Sequence, residues 1–158
     1  MRILLQRISE AWVDIAGSAT PKAGAGLLAL VGFQQGDGGA LLEPMASKMV
    51  NLRIFDDGRG RMNLSLLDSD GDLVIVSQFT LYADCRKGRR PGFSGALEPE
   101  EAAVLFDEFA AFCLTWRPSL IRGEFGADMK VHLVNDGPVT LLLDSAELGL
   151  RRPQGGPS

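Results

Sequence analysis

The stretch "GRMNLSLLDSDGDLVIVSQFTLY", Gly60 to Tyr82, decides the fold. Two apolar segments flank Ser69-Asp70-Gly71, residue types that favour tight turns, so the pattern predicts strand, turn and strand. The second segment is continuously apolar from Leu73 to Val76, as in a strand buried on both faces. It then becomes polar at Ser77, Gln78 and Thr80. Extended at a period of two, it sets Gln78, Thr80 and Tyr82 on one face and Ser77, Phe79 and Leu81 on the other. The commoner meaning of such a pattern is a strand running out at a sheet edge into water. The sharper meaning is a pocket floor of amide and hydroxyl groups for a polar substrate.

Upstream, "MRILLQRIS" and "AWVDIAG" read as two strands and "GLLALVGF" as a third, more deeply buried one. Downstream, "DMKVHLVNDGPVTLLLDS" reads as two further strands around Asn135 to Pro138. Two helical patterns lie between. The first has Pro44 in its opening turn and Leu41, Met45, Met49 and Leu52 at near-helical spacing. The second follows Pro99 and places Leu105, Phe109, Phe112, Cys113 and Trp116 on one stripe, with Asp107 and Glu108 opposite. Strands outnumber the two main helices and are mostly contiguous, which predicts an α+β domain with a mostly antiparallel or mixed sheet. One domain is expected over residues 1–145, and "AELGLRRPQGGPS", residues 146–158, reads as a disordered tail.

The 158 residues suit one domain, and 46% hydrophobic with 23% charged residues is ordinary globular composition. A net charge of −4 argues against a general nucleic-acid coat but leaves room for a local basic patch. "MRILLQRISE" has too few apolar residues for a signal-peptide core, and no run approaches a membrane span. Cys85 and Cys113 show no pairing pattern, which suits a reducing cytoplasm. A soluble cytoplasmic protein is expected.

Directly after the polar strand end comes "RKGRR". Arg86, Lys87, Arg89 and Arg90 are a quarter of the 16 Lys and Arg residues, held within five positions. Such loops are commonly plain solvated surface. Here the position points to an anionic ligand, and arginine forks suit phosphate. "VNDGPVT" is the second informative stretch. By residue type it is a hairpin turn, yet apolar runs on both sides hold Gly137-Pro138 close to the core, and a proline lacking its N–H there needs a reason. One histidine and two separated cysteines offer no zinc spacing, so neither metal nor cofactor is expected. His132, between Val131 and Leu133, reads as structural, and a Ser-His-Asp set built on it is a long shot. Cys85, beside two cations, is a minor nucleophile candidate. "GDGG", Gly36 to Gly39, lacks the context and the lysine of a nucleotide loop.

With "SQFTLY", "RKGRRP", "FGADM" and "NDGPVTLLLDS" in that order, the sequence closely resembles the D-aminoacyl-tRNA deacylase (D-tyrosyl-tRNA deacylase) family. The similarity runs from "MRILLQRIS" through "NLRIFDDGRGRMNLS" to Ser145. The resemblance implies that family's barrel-like fold and hydrolysis of the ester between a D-amino acid and the terminal ribose of tRNA, a proofreading step in translation. It implies a homodimer with active sites at the subunit interface. Ser77, Gln78, Phe79 and Thr80 would line the pocket. Gly137-Pro138, held cis, would reach into the partner's pocket and reject L side chains, with Arg7 holding that loop. Phe125, Ala127 and Met129, within "FGADM", would shape the wall that meets the terminal adenosine. The basic run Arg86, Lys87, Arg89 and Arg90 would meet tRNA phosphates, since RNA of this kind is read through shape, backbone and 2′-hydroxyls. Glycyl-tRNA, with no side chain to exclude, would leak through. The departures are Cys85, where the family usually has threonine or alanine, Gly92 in place of serine, and Trp12 in place of a small residue.

Two mechanisms stay open. Thr80 is the obvious side-chain nucleophile, but no histidine is evident to activate it. Alternatively, backbone N–H groups near Phe79 and Thr80 stabilise the oxyanion while a water attacks, assisted by the substrate's own 2′-hydroxyl. The second is favoured. The rivals from other classes are a non-catalytic module binding RNA ends or nucleotides, and a Cys85 thiol hydrolase.

Overall fold

The computed structural model describes residues 1–150. Its elements are β1 (Arg2–Ile15), β2 (Ser18–Ala19), β3 (Gly26–Gly32), α1 (Leu42–Asn51), β4 (Phe55–Asp56), β5 (Met62–Leu64), β6 (Asp72–Ser77), α2 (Pro99–Trp116), β7 (Ile121–Arg122) and β8 (Met129–Asp144). The main sheet runs β2-β1-β3-β6-β7, with β8 on the other side of β1. β1 is antiparallel to β3 and β8, while β3–β6 and β6–β7 are parallel. With the two helices this is a mixed, curled sheet of α+β class, a half-barrel.

"GLLALVG" is apolar throughout because β3 is covered on both faces. Leu27, Ala29 and Val31 join Ile3, Leu5, Leu73 and Ile75 under α1 and α2. Leu28 turns the other way, into a smaller cluster with Ile8, Val13, Val74 and Val76, against which Met129 and Val131 pack. The sheet therefore has a large helix-covered core on one face and a small core in its curl.

Both helices start at the expected prolines, with Pro44 in the first turn of α1 and Pro99 opening α2. The buried stripe of α2 is centred on Phe106, with Ala102, Phe109, Ala110 and Cys113, and not on the row through Leu105. Leu105, Phe112 and Trp116 are half-buried flanks.

Three expectations about strands need correction. "MRILLQRIS" and "AWVDIAG" are one strand, and "DMKVHLVNDGPVTLLLDS" is one paired element. Both of its halves pair with β1, residues 140–144 against 2–6 and 129–135 against 8–15, so they do not form a hairpin. Between them the register slips, and Asp136 to Val139 loop out of the ladder. Second, Met62–Leu64 pairs with Phe55–Asp56 in a separate small hairpin and does not pair with β6. Third, β6 stops at Ser77, and Phe79–Tyr82 is a 3₁₀ turn. The alternating faces expected for Gln78 to Tyr82 do not exist. The physical reason is the loss of a neighbour: β3 ends at Gly32, and Gln78 N–H makes the last rung to Val31 O at 2.7 Å.

Ala146 to Leu150, expected in the tail, form a turn. Leu150 N–H donates to Ser145 O at 3.0 Å, and its side chain packs on the larger core. Residues 151–158 lie outside the described residues.

Candidate active site

A cavity of about 590 Å³ opens at the carboxyl ends of the parallel strands β3 and β6, where open α/β sheets commonly bind ligands. Val31, Phe33, Val76, Ser77, Gln78 and Phe79 line it from the strand ends. Opposite chain segments contribute Phe93, the start of α2, and the loop Phe125 to Met129. The sequence-predicted Ser77, Gln78, Phe79, Phe125, Ala127 and Met129 thus converge on one cavity although 48 positions separate Ser77 from Phe125. Thr80 lies one residue beyond the lining, exposed on the 3₁₀ turn.

The turn is seated tightly against the sheet. A Cβ on Gly32 would lie 2.7 Å from the Gln78 carbonyl oxygen, so only glycine lets the turn approach β3 this closely. Gln78 donates its side-chain amide to the Thr80 hydroxyl oxygen. Leu81 N–H closes on Gln78 O at 3.3 Å and Ala83 N–H on Thr80 O at 3.0 Å. The N–H groups of Phe79 and Thr80 open the turn, where a 3₁₀ helix leaves its first donors without an internal partner. Phe79 is 55% exposed and meets Phe93 edge-on, ring centroids 5.0 Å apart.

The basic run occupies the loop closed by the Asp84–Gly92 bridge, with N–H···O bonds of 2.7 and 2.9 Å. Arg86 is committed within it. Its Nε donates to Asp84 Oδ1 at 2.8 Å and its Nη2 to Asp84 Oδ2 at 2.7 Å. The Arg86 fork and its backbone N–H hold the Asp84 carboxyl well below the usual carboxylate range. Lys87, Arg89 and Arg90 are exposed and form no ion pair among the described residues.

Gly137-Pro138 is cis and sits at the apex of the looped-out segment in β8. Both residues are exposed, and neither lines the cavity of its own chain. Arg7, whose side chain is only 13% exposed, binds this loop to the body of the protein. Its Nε donates to Asp136 O at 3.0 Å and its Nη1 to Ile54 O at 2.6 Å. Asn135 spans the loop from within, accepting from Val139 N–H at 2.8 Å and donating to Thr140 Oγ1 at 2.9 Å. Asn135 was missed by sequence reasoning. The signal was an asparagine directly before Asp136-Gly137-Pro138, a residue type whose side chain commonly bonds backbone in turns.

The other sequence candidates lie elsewhere. His132 stacks on Trp12 with ring centroids 4.6 Å apart and bonds Asp14 at 2.9 Å, and it does not line the cavity. Cys85 is exposed in the basic loop. Cys113 is buried in the core of α2, where burial pushes its thiol up to about 12.

Comparison with known proteins agrees with this architecture. A solved structure titled "c-Myc DNA Unwinding Element Binding Protein" superposes with a TM-score of 0.86 at 36% identity, covering 92% of this chain and 99% of that one. A probable eukaryotic D-amino acid tRNA deacylase shares the fold, with a TM-score of 0.79 at 20% identity over 90% of this chain and 97% of that one. A family model described as D-Tyr-tRNA(Tyr) deacylase matches residues 4–144, and the chain belongs to this family of hydrolases acting on aminoacyl-tRNA. The D-aminoacyl-tRNA deacylase of Thermomicrobium roseum is 54% identical over 148 residues, covering 94% of this chain and 96% of that protein. That of Thermosipho africanus is 51% identical over 148 residues, covering 94% and 99%.

Proposed function

We propose that this chain releases the D-amino acid from D-aminoacyl-tRNA at the cavity beside Phe79–Tyr82, acting as a homodimer in the cytoplasm. The observation that carries the reading is a 3₁₀ turn that begins at Phe79 in the cavity lining and ends four positions before an exposed cationic loop. The cavity takes the aminoacyl-adenosine end, and Lys87, Arg89 and Arg90, with Arg86 at reduced strength, meet the phosphates. Phe125, Ala127 and Met129 form the wall against the terminal adenosine.

The chemistry follows from what surrounds Thr80. No histidine lines the cavity, and the group bonded to the Thr80 hydroxyl is an amide N–H, which cannot accept its proton. Thr80 is therefore poorly placed to be a nucleophile. N–H groups of the turn instead meet the carbonyl oxygen as it becomes an oxyanion, and water attacks with help from the neighbouring ribose 2′-hydroxyl. Aminoacyl esters are already labile, so positioning and one oxyanion site suffice.

Gly137-Pro138, carried on the outside of one subunit by Arg7 and Asn135, serves the partner's cavity. Its exposure and its absence from the lining of its own chain's cavity support that assignment. There the backbone occupies the space an L side chain would need. Glycyl-tRNA has no such side chain and passes. No helix among the described residues is long and apolar enough to cross a membrane.

Incubation with D- and L-aminoacyl-tRNA, with free amino acid as the readout, tests the reading. Release from the D form alone is expected. A second reading comes from the solved relative titled as a DNA-unwinding-element binding protein, a nucleic-acid-binding module without turnover. Binding with no amino acid released would favour it. Loss of turnover in Cys85→Ser would instead support a thiol hydrolase.

A further inference from the structure

Arg2, the first residue of β1, reaches the catalytic turn from behind. Arg2 Nη1 donates to Leu81 O at 2.9 Å, and its Nε donates to Asp144 Oδ2 at 2.8 Å. Its guanidinium carbon lies 4.7 Å from the centre of the Tyr82 ring. Arg2 and Asp144 are also direct partners across the β1–β8 ladder, so the ion pair is formed by two residues the sheet already holds opposite each other. Asp144 is buried, and its second oxygen accepts from Ala146 N–H at 2.9 Å. One guanidinium therefore ties the last residue of β8 to the exit of the Phe79–Tyr82 turn, 79 positions away from Arg2.

We propose that Arg2 is a positioning residue for the deacylation reaction: anchored by Asp144, it fixes the 3₁₀ turn so that Phe79 and Thr80 present their N–H groups to the reacting carbonyl. This rests on the deacylase reading of the cavity. A single 3₁₀ turn has weak internal bonds and does not hold its shape unaided. Its entrance is clamped by Gln78 N–H on Val31 O and by the close approach of Gly32. At its exit, Arg2 bonds the Leu81 carbonyl and stacks on Tyr82, whose side chain is buried. An oxyanion donor contributes only when it is already aimed at the developing charge. Loosening the exit of the turn therefore lowers kcat while the cavity walls, and with them KM, remain as they were.

Two measurements on the full chain test this. Arg2→Met keeps much of the stem and removes the fork. Its kcat on D-aminoacyl-tRNA should fall about tenfold or more, with KM within about twofold of the unsubstituted protein. Amide hydrogen exchange at Phe79 to Ala83 should be faster by about tenfold or more, without the same acceleration across β3. Arg2→Lys, which can reach one of the two acceptors but not both, should recover part of the kcat. If Arg2→Met does not fold, Asp144→Asn, which weakens the anchor and leaves Arg2 in place, should show the same pattern to a smaller degree. Unchanged exchange in the turn overturns the proposal. So does a kcat per folded molecule within about twofold of the unsubstituted protein, or a loss that appears in KM alone. An unsubstituted protein that releases no amino acid sinks the deacylase reading and with it any role of Arg2 in turnover, while faster exchange in Arg2→Met would still show that Arg2 holds the turn.

Discussion

Gln78 and Thr80 are joined by a hydrogen bond in which the amide of Gln78 donates to the hydroxyl of Thr80. The direction matters. A hydroxyl that is to attack an ester must give up its proton to a base, and an amide N–H cannot take it. Thr80→Ala should accordingly retain measurable deacylation. A loss of about 10⁴-fold or more with binding intact would restore Thr80 as the nucleophile. Substrate lacking the terminal 2′-hydroxyl should be the poorer partner for both proteins. Turnover of that substrate at the normal rate would remove the RNA hydroxyl from the mechanism.

The core strands and helices were legible because their signals are local. "GLLALVG" and "DLVIVS" are apolar on both faces, and Pro44 and Pro99 stand in the opening turns of the helices. The site was legible mainly through motifs, and its geometry much less so. Gln78 to Tyr82 alternate like a strand, but a strand needs a neighbour, and whether β3 extends past Gly32 is not written in residues 78–82. The register shift along β1 between Gln6 and Ile8 exists because four residues of β8 loop out opposite it, some 130 positions later. Arg2 is one charged residue at the start of a strand, with no local pattern around it. Its role depends on Leu81 and Asp144, which no local pattern brings together.

The cationic loop is not uniform, which gives a graded expectation. Arg89→Ala with Arg90→Ala should raise KM for aminoacyl-tRNA and leave kcat nearly unchanged. The log–log dependence on salt should become shallower by about 1.4–1.8, from about 0.7–0.9 for each lost phosphate contact. Arg86→Ala should change that slope less than either neighbour, because the Arg86 charge is already paired with Asp84. Asp84→Asn should do the reverse, freeing Arg86 and steepening the slope. Equal slopes in all four proteins would mark the loop as solvated surface.

Acid stability should depend on Asp144. Burial disfavours its charged form, but the bond from Arg2, the N–H of Ala146 and the charges of Arg2 and the N-terminus outweigh burial and hold the carboxyl below its ordinary value. A carboxyl whose pKa is lower when folded than when unfolded stabilises the fold above its unfolded pKa of about 3.9, and that contribution fades as pH falls through the folded value. At neutral pH Asp144→Asn should cost about 1.5–3 kcal/mol, the worth of a hydrogen bond to a charged group. For a chain of this size that lowers the melting temperature by several degrees, on the order of 2–4 °C per kcal/mol. The two melting curves should converge as pH drops below about 4, since protonation then removes from the unsubstituted protein what the substitution removed. A gap that stays constant to pH 2 would show that the carboxylate charge is not what Asp144 contributes.

Chiral selection should fail in a specific way at Gly137. Its φ is +132°, a conformation L side chains rarely adopt, and a Cβ there would lie 2.8 Å from Val139 Cγ2 and 2.9 Å from Arg7 Nη2. Gly137→Ala must therefore displace either the loop or the Arg7 guanidinium that holds it to Asp136 and Ile54. If this loop is what stands where an L side chain would go, moving it admits the wrong enantiomer. The ratio of D to L turnover should fall by about tenfold or more, which corresponds to about 1.4 kcal/mol of discrimination. Arg7→Met should lower the same ratio without touching the glycine, because it frees the loop at its other attachment. Exclusion also makes a statement about the unsubstituted protein: glycyl-tRNA offers nothing to exclude and should be hydrolysed within about tenfold of D-alanyl-tRNA, far ahead of L-alanyl-tRNA. Glycyl-tRNA left as intact as L-alanyl-tRNA would mean that the D substrate is chosen by contacts its side chain makes, and the steric account of Gly137-Pro138 would be wrong.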